Sequence, residues 1–402
     1  MNNPRRSLDW LWQLPLTAFI LAGLTGFLYR LGLIGVDLWG LSLEHIRHAH
    51  SHLMFFCWAV PLPMYLIIKK VNREIQDTGS NILMTRMAIA SLFLGFASYP
   101  FFLLYGYRPV PLAGMELPVS VMLSGLVMLC WYGFMAGYWK ERKFIETDLA
   151  MTFYDASLLM LFISSLGAWG VAVVQFLGLD NPLYGKALTH FFLATFTEGW
   201  VVTVLLGIVY DHFRVKLKNV TVAPGLLAGL ILFGAPLTFP YGISETLLTG
   251  QLLMAARLGG LLAVIGLALN LFVIVRQIDF GLHRFWKLIL GLFVLKAIAQ
   301  LLASVLPSEF WMSAHSLRIF YMHLLLLGAF SLTLFTVLLS EEQARTGLLA
   351  VSVGIILVLI SLIWLTPLWP QAWSATWQFY TVTGIAILPS MAAVYYFVKL
   401  ST

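Results

Sequence analysis

Long apolar stretches separated by short polar connections recur along the whole 402-residue chain. A helix needs about 20 apolar residues to cross the roughly 30 Å hydrocarbon core of a membrane. By that criterion the pattern predicts twelve transmembrane helices, called spans 1 to 12 here: about 10–32, 46–68, 84–106, 117–138, 150–178, 187–210, 221–239, 248–275, 285–306, 314–339, 346–366 and 372–398. The short connections predict one polytopic membrane domain, 1–402, of the all-α class.

Basic side chains are concentrated on one side of the predicted spans. The loops that follow spans 2, 4 and 6 contain the basic residues Lys69, Lys70, Arg73, Lys140, Arg142, Lys143, Arg214, Lys216 and Lys218. Cytoplasmic loops of membrane proteins are enriched in Lys and Arg. We therefore expect both termini in the cytoplasm, in a multi-pass protein of the bacterial inner (cytoplasmic) membrane.

The composition supports a membrane protein and narrows its partners. The chain is 60% hydrophobic and only 10% charged, whereas a soluble domain has about 25% charged residues. The expected partner is therefore the lipid bilayer. The net charge of +6 comes from loop residues and does not indicate nucleic acid. Cys57 and Cys130 lie in apolar stretches, so no disulfide framework is expected.

Histidines gather where three predicted spans enter from the outer face. Four of the nine histidines lie within Glu44-His45-Ile46-Arg47-His48-Ala49-His50-Ser51-His52, at the start of span 2. His190 opens span 6, and His315 and His323 lie on span 10. These three spans run in the same direction, so the histidines lie at similar depth. Ionisable side chains at such positions are costly and are candidates for function.

Helix geometry divides the span-2 histidines between two faces. Successive residues turn by about 100°, so one stripe holds Glu44, His45, His48 and His52, and His50 points to the other side. Two functional interpretations stay open. The stripe, together with His190, binds zinc, copper or iron, or His50 is an axial ligand of a heme iron. A polar collar at the membrane boundary is the non-functional alternative.

Four further charged side chains within predicted spans are candidates for function. Glu198 on span 6 is expected to be protonated or hydrogen-bonded and is a candidate catalytic proton-relay group. Lys296 on span 9 is expected to be neutral or paired. Arg257 and Arg318 lie in the outer halves of their spans and need an anion, such as heme propionates, unless they extend to the headgroups. Glu198, Lys296 and Arg257 would also suit a proton-coupled transporter.

The segment from Arg47 to Met54 resembles the helix-2 signature of the heme–copper oxidase and nitric-oxide reductase catalytic subunit. In that family an Arg stands three residues before a His, which a small hydroxyl residue and an amide follow. Arg47, His50 and Ser51 match, and His52 stands in place of the amide. The twelve spans and cytoplasmic termini are also similar to that fold.

Two other spans extend the resemblance. His323 stands where the family's helix 10 supplies the second ligand of the low-spin heme, and His190 resembles a metal-binding His of helix 6. The resemblance implies a subunit I-like bundle that holds a b-type heme between helices 2 and 10, with His50 and His323 as axial ligands. Arg47, Arg257 and Arg318 would be further cofactor-binding residues, and an electron-donor subunit or cytochrome would be the partner.

The chain also departs from the family pattern. Span 7 has no histidine, and Tyr321 stands where the ligand of a high-spin heme is expected. A second metal, copper or iron, would have to use His48, His52 and His190. We therefore expect electron transfer through a bis-histidine heme. The alternatives are a diverged oxygen or nitric-oxide reductase, a non-heme metal-dependent enzyme or metal-handling protein, and a transporter.

Overall fold

A computed structural model describes residues 11–75, 82–112, 114–277, 284–308, 310, 314–338 and 345–401. Within these residues, eleven helices are long and apolar enough to cross a membrane. One shorter apolar helix, Pro224–Leu237, takes the place of predicted span 7. The chain is thus an all-α membrane bundle, as the apolar pattern predicts. The first predicted span begins at residue 10 and the tenth ends at residue 339, both outside the described residues.

The chain forms two compact units, each described by itself. Unit 1 consists of Met1–Glu146 and Leu339–Thr402, and unit 2 of Thr147–Leu338. The single domain expected from the short connections stays a prediction.

Unit 1 contains eight α-helices among its described residues. They are α1 Gln13–Leu33, α2 Leu43–Leu53, α3 Pro61–Ile75, α4 Ile82–Tyr105, α5 Val119–Arg142, α14 Arg345–Ile363, α15 Trp377–Ala386 and α16 Leu388–Ser401. Two short antiparallel strands, β1 Val110–Leu112 and β2 Met115–Leu117, lie between α4 and α5.

Unit 2 also contains eight α-helices among its described residues. They are α6 Leu149–Phe176, α7 Pro182–Ala194, α8 Val202–His212, α9 Pro224–Leu237, α10 Gly250–Gln277, α11 Arg284–Val305, α12 His315–His323 and α13 Ser331–Leu338. A 3₁₀ turn, Phe239–Gly242, follows α9.

Three spans are interrupted by π-helical turns. These are Met54–Ala59 between α2 and α3, Thr195–Val201 between α7 and α8, and Leu324–Phe330 between α12 and α13. Each turn follows a histidine-bearing helix. A π-helical turn contains an extra residue and is frequent at functional sites.

The wide turns change which carbonyl groups accept the regular helical hydrogen bonds. Pro61 lacks a backbone N–H, so the carbonyl of Cys57 loses its helical donor. The Ser331 hydroxyl donates to the carbonyl of Leu326 at 2.7 Å. Such bonds satisfy carbonyl groups that the regular helical pattern would otherwise leave unpaired in lipid.

Two of the interrupted spans are more deeply buried than the other long spans that the structure describes. In the most apolar window of Leu43–Ile75, 89% of residues are buried, and in Pro182–His212 83% are. The other nine long spans reach at most 56%. The histidines of α2 and α7 therefore start helices that pack mainly on protein rather than lipid.

Asn270 ties three helices of unit 2 together. Its side-chain oxygen accepts a hydrogen bond from the Tyr210 hydroxyl at 2.6 Å, and its amide donates to the carbonyls of Leu227 and Gly266. The amide is thus satisfied although it is fully buried, which is the condition for placing a polar group inside a membrane bundle.

Candidate functional site

A buried polar cluster lies inside unit 2. The Lys296 ammonium lies 2.5 Å from Glu198 Oε2, and it donates a second bond to Gln300 Oε1, also at 2.5 Å. The Tyr321 hydroxyl donates to the other carboxylate oxygen, Oε1, at 2.6 Å. Lys296 is 1% exposed and Glu198 5% exposed. We call Glu198, Lys296, Gln300 and Tyr321 the unit 2 polar cluster.

Three helical segments supply this cluster. Glu198 lies in the π-helical turn Thr195–Val201, and Tyr321 lies on α12 just before the next π-helical turn. Lys296 and Gln300 are one turn apart on α11, so both side chains lie on the same helix face. The carboxylate receives a donor on each oxygen, from two different helices.

The sequence predicts the two charged members separately. Glu198 is hydrogen-bonded and Lys296 is paired, and each of these was one of the alternatives expected from its own surroundings. The partnership itself was missed, as were Gln300 and the bond from Tyr321. The i, i+4 spacing of Lys296 and Gln300 was the signal that could have suggested part of the cluster.

Hydroxyl groups extend the cluster along α11. Ser304 donates to the carbonyl of Gln300 at 2.8 Å. A Cβ on Gly260 would lie 2.2 Å from Ser304 Oγ and 3.4 Å from the Tyr241 hydroxyl oxygen, so a larger residue there would require the Ser304 hydroxyl to move. Burial raises the pKa of Tyr241, and the nearby Ser304 hydroxyl and Arg257 guanidinium act in the opposite direction.

The 3₁₀ turn Phe239–Gly242 brings basic side chains together in unit 2. Arg318 Nη1 donates to the carbonyl of Gly242 at 3.0 Å. The His190 ring packs on the same glycine, where an added Cβ would lie 2.0 Å from Nδ1. His315 Nδ1 lies 3.5 Å from Arg318 Nη2. Arg257 donates to the carbonyl of Leu306 at 3.4 Å.

His50 faces α1 in unit 1. Its Nδ1 lies 2.7 Å from the carbonyl oxygen of Ala22. A carbonyl only accepts, so Nδ1 carries the proton, and the neutral imidazole presents its Nε2 lone pair. The ring packs on Gly26, where a Cβ would lie 3.1 Å from Cε1. The glycine therefore makes room for the ring.

The other span-2 histidines face the last turn of α4 and Tyr107 just after it. His52 stacks on Phe102 with ring centroids 3.8 Å apart, and its Nε2 lies 2.7 Å from the Tyr107 hydroxyl. His48 Nε2 lies 3.5 Å from Glu44 Oε1. His45 Nδ1 lies 3.1 Å from the carbonyl of Leu104. Their separation from His50 is the one that helix periodicity predicts.

Tyr107 links His48 and His52, and Arg47 acts on it. The His48 ring meets Tyr107 edge-on, with centroids 4.6 Å apart. Burial raises the pKa of Tyr107 to about 12, and the positive charge of Arg47 opposes that change. Arg47 itself is exposed.

His323 has the same kind of backbone bond as His50. Its Nδ1 lies 2.8 Å from the carbonyl of Ile319, one turn earlier on α12. Nδ1 therefore carries the proton here too. The roles predicted for His50 and His323 as heme ligands stay predictions.

In the part of the chain that the structure describes, no group of three or more His, Cys, Asp or Glu side chains is placed to hold one metal ion. The predicted metal site of Glu44, His48, His52 and His190 stays a prediction. Metal analysis of the purified protein tests it, since near-stoichiometric zinc or copper without heme is the result it requires.

No protein-family model matches this chain, and a search of curated proteins found no match. The functional interpretation therefore rests on the side chains described above.

Proposed function

We propose that this protein is a heme-binding membrane redox protein that transfers electrons. The supporting observation is the His50 imidazole, which is fixed by its Nδ1–H bond to the Ala22 carbonyl at 2.7 Å. Histidines that bind metals usually donate their other ring N–H to a carbonyl or carboxylate, which fixes the tautomer and raises the basicity of the ligating nitrogen. His50 meets that condition through Nδ1, and Nε2 is the nitrogen that would bind iron.

His323 meets the same condition within unit 2. Its Nδ1–H donates to the carbonyl of Ile319 at 2.8 Å, so Nε2 is the nitrogen that would bind iron. A b-type heme supplies one-electron chemistry when bound, and two imidazole ligands suit electron transfer because no coordination position stays open for a substrate. The resemblance to the heme–copper oxidase catalytic subunit supports this assignment and implies an electron-donor subunit or cytochrome as partner.

The optical spectrum of protein purified from heme-replete cells tests the proposal. We expect a Soret band in the wild type that is lost or shifted in His50→Ala and in His323→Ala. His45→Ala is the matched control, because its Nδ1 also bonds a backbone carbonyl and it lies on the other face of α2. Absence of a Soret band, or a band that neither variant alters, would contradict heme binding.

The unit 2 polar cluster favours a second candidate function, proton-coupled transport. Ionisable groups within membrane spans mark proton relays and ion pathways. Transfer of one proton from the Lys296 ammonium to the Glu198 carboxylate would leave both groups neutral, and a proton added to Glu198 alone would leave a single positive charge. The cluster can therefore hold a proton in two ways within the membrane.

Proteoliposomes with an internal pH dye test this second function. With an inside-negative potential imposed, we expect proton uptake above that of protein-free vesicles. Glu198→Gln should abolish the uptake, because an amide cannot carry the proton. Glu116→Gln, on the exposed strand β2, should leave it unchanged. Uptake equal to that of protein-free vesicles would contradict the transporter.

A further inference from the structure

The basic side chains around Gly242 form a group distinct from the buried cluster. We call Arg318, His190, His315 and Arg257 the outer basic group, after the side of the membrane that the basic loops predict for it. The 3₁₀ turn Phe239–Gly242 organises it: Arg318 and His190 contact Gly242, and Arg257 acts electrostatically on Tyr241.

Not every N–H group of the Arg318 guanidinium has a hydrogen-bond partner among the described atoms. Nη1 donates to the Gly242 carbonyl and Nη2 approaches His315, while Nε is buried and has no partner among the described atoms. The protein contacts of Arg257 are similar, with one long bond to a carbonyl at 3.4 Å. A backbone carbonyl cannot neutralise a guanidinium, so both arginines keep their charge uncompensated by these bonds.

Among the described side chains, no carboxylate pairs with either arginine. Glu245 and Glu309, the nearest acidic residues in the sequence, lie outside the described side chains. A partly buried guanidinium is stabilised by an anion that accepts its planar pair of N–H groups. Neutral histidines such as His190 add a hydrogen-bond donor or acceptor to such a site.

The start of α12 adds to the positive potential. Its N-cap residue, Ala314, has no side chain that can cap the helix. The first N–H groups of a helix and the positive end of its dipole favour a nearby anion. His315 and Arg318 lie in the first turns of this helix, so the dipole and the guanidinium act at the same place.

We infer that the outer basic group is a binding site for an oxyanion, a carboxylate or phosphate group held by Arg318 and assisted by His190. The anion would accept hydrogen bonds from the guanidinium and its charge would balance Arg318 and Arg257. This inference does not depend on heme binding. The same chemistry is offered by a free anion, by a lipid phosphate and by a heme propionate.

Thermal unfolding of the purified, delipidated, heme-free protein tests the site with inorganic phosphate. A ligand that binds only the folded state raises the unfolding temperature progressively with its concentration. We expect that rise in the wild type, and at least about a tenfold loss of phosphate affinity in Arg318→Gln, because the anion loses a charge-assisted hydrogen-bond partner. Arg318→Lys should lose part of the phosphate affinity, because lysine keeps the positive charge but lacks the planar pair of N–H groups of the guanidinium.

Arg108→Gln is the control for loss of one positive charge, because Arg108 is an exposed residue of unit 1 and should leave phosphate binding unchanged. Folding of each variant is checked by its unfolding temperature without phosphate. If phosphate stabilises Arg318→Gln as strongly as the wild type, or stabilises neither, the site does not exist.

Two further arms identify the source of the oxyanion. Added phosphatidylglycerol that stabilises the wild type but not Arg318→Gln, with phosphate then without effect, identifies a lipid phosphate. Phosphate binding that is lost only after heme is loaded identifies a propionate. Phosphate binding that persists with both lipid and heme present identifies a free anion. Failure of heme binding would change none of the results in the heme-free arm.

Discussion

The carboxylate of Glu198 and the ammonium of Lys296 are both removed from water inside unit 2. Desolvation of two ions costs several kcal/mol each, and their attraction repays it only when the remaining hydrogen bonds are satisfied. Gln300 and Tyr321 provide those bonds. The pair is therefore stabilised by further hydrogen-bond partners, and removal of one member should affect the others.

Lys296→Met should destabilise the protein by about 3–5 kcal/mol, because it leaves Glu198 buried without its counter-charge. Adding Glu198→Gln should recover part of this free energy of unfolding, since no charge then stays buried. Denaturant unfolding in mixed micelles measures both values.

Lys287→Met provides the comparison, because Lys287 is exposed on the same helix, α11, and should change the free energy of unfolding by less than about 0.5 kcal/mol. A double variant that is no more stable than Lys296→Met would show that the charge of Glu198 is not what makes the single change costly.

At the residue scale, the sequence predicted those features that depend only on the spacing of residues within one helix. The opposite faces of His50 and His52 follow from their spacing on α2, and the structure has them contacting Ala22 and Tyr107 respectively. The Glu198–Lys296 pair joins residues 98 positions apart. Helix periodicity predicts the face of the helix on which a side chain lies, but it does not predict which neighbouring helix packs on that face.

At the scale of elements, the π-helical turns were not predicted. A wide turn needs one more residue than an α-turn, and apolar periodicity over about 20 residues hardly changes when one is inserted. Pro61 at the end of Met54–Ala59 gave a local signal of broken helical bonding. No proline lies within or directly after the turns Thr195–Val201 and Leu324–Phe330, so their sequences gave no comparable signal.

Close helix packing in unit 2 depends on glycines that meet backbone atoms. A Cβ on Gly234 of α9 would lie 2.6 Å from the Gly259 oxygen and 2.6 Å from the Ala263 nitrogen, both on α10. Small residues at such crossings let transmembrane helices approach closely. A backbone cannot move aside as a side-chain tip can, so the helices would have to separate.

Gly234→Ala should lower the free energy of unfolding by about 1–3 kcal/mol, the usual cost of overpacking. Gly229→Ala is the matched control on the same helix: a Cβ there meets nothing within 4 Å, and alanine favours a helix over glycine by up to about 1 kcal/mol. The two variants should therefore shift the unfolding temperature in opposite directions. Equal losses would show that α9 and α10 do not pack as closely as described.

At the scale of the whole molecule, the apolar pattern predicted most helix ends to within a few residues, but it did not predict the length of every span. Predicted span 2, 46–68, is the longer Leu43–Ile75, because the polar histidine turns of α2 and the basic turns of α3 continue the helix beyond the apolar window. Span 7 is shorter than predicted, since α9 has only 14 residues. At about 1.5 Å per residue that is about 21 Å, short of the roughly 30 Å hydrocarbon core.

The length of α9 bears directly on the orientation of everything after it. Twelve crossings put the two termini on the same side of the membrane, whereas eleven would put them on opposite sides. The apolar residues of α9 and the 3₁₀ turn Phe239–Gly242 that continues it favour a full crossing, with local thinning of the bilayer making up the difference at modest cost. The basic residues before α9 favour a cytoplasmic start.

Alkaline phosphatase, which is active only outside the cytoplasm, reports this crossing when it is fused at two positions. We expect a fusion after Lys216, before α9, to be inactive and one after Thr249, at the start of α10, to be active. A fusion after Asp180, between α6 and α7, should be active and serves as the positive control. Green fluorescent protein at the C-terminus should fluoresce, because it folds in the cytoplasm. Inactive phosphatase at both Lys216 and Thr249 would mean that α9 does not cross. That result would contradict the contact of Gly242 with His190 of α7, because the active Asp180 fusion places the start of α7 outside the cytoplasm.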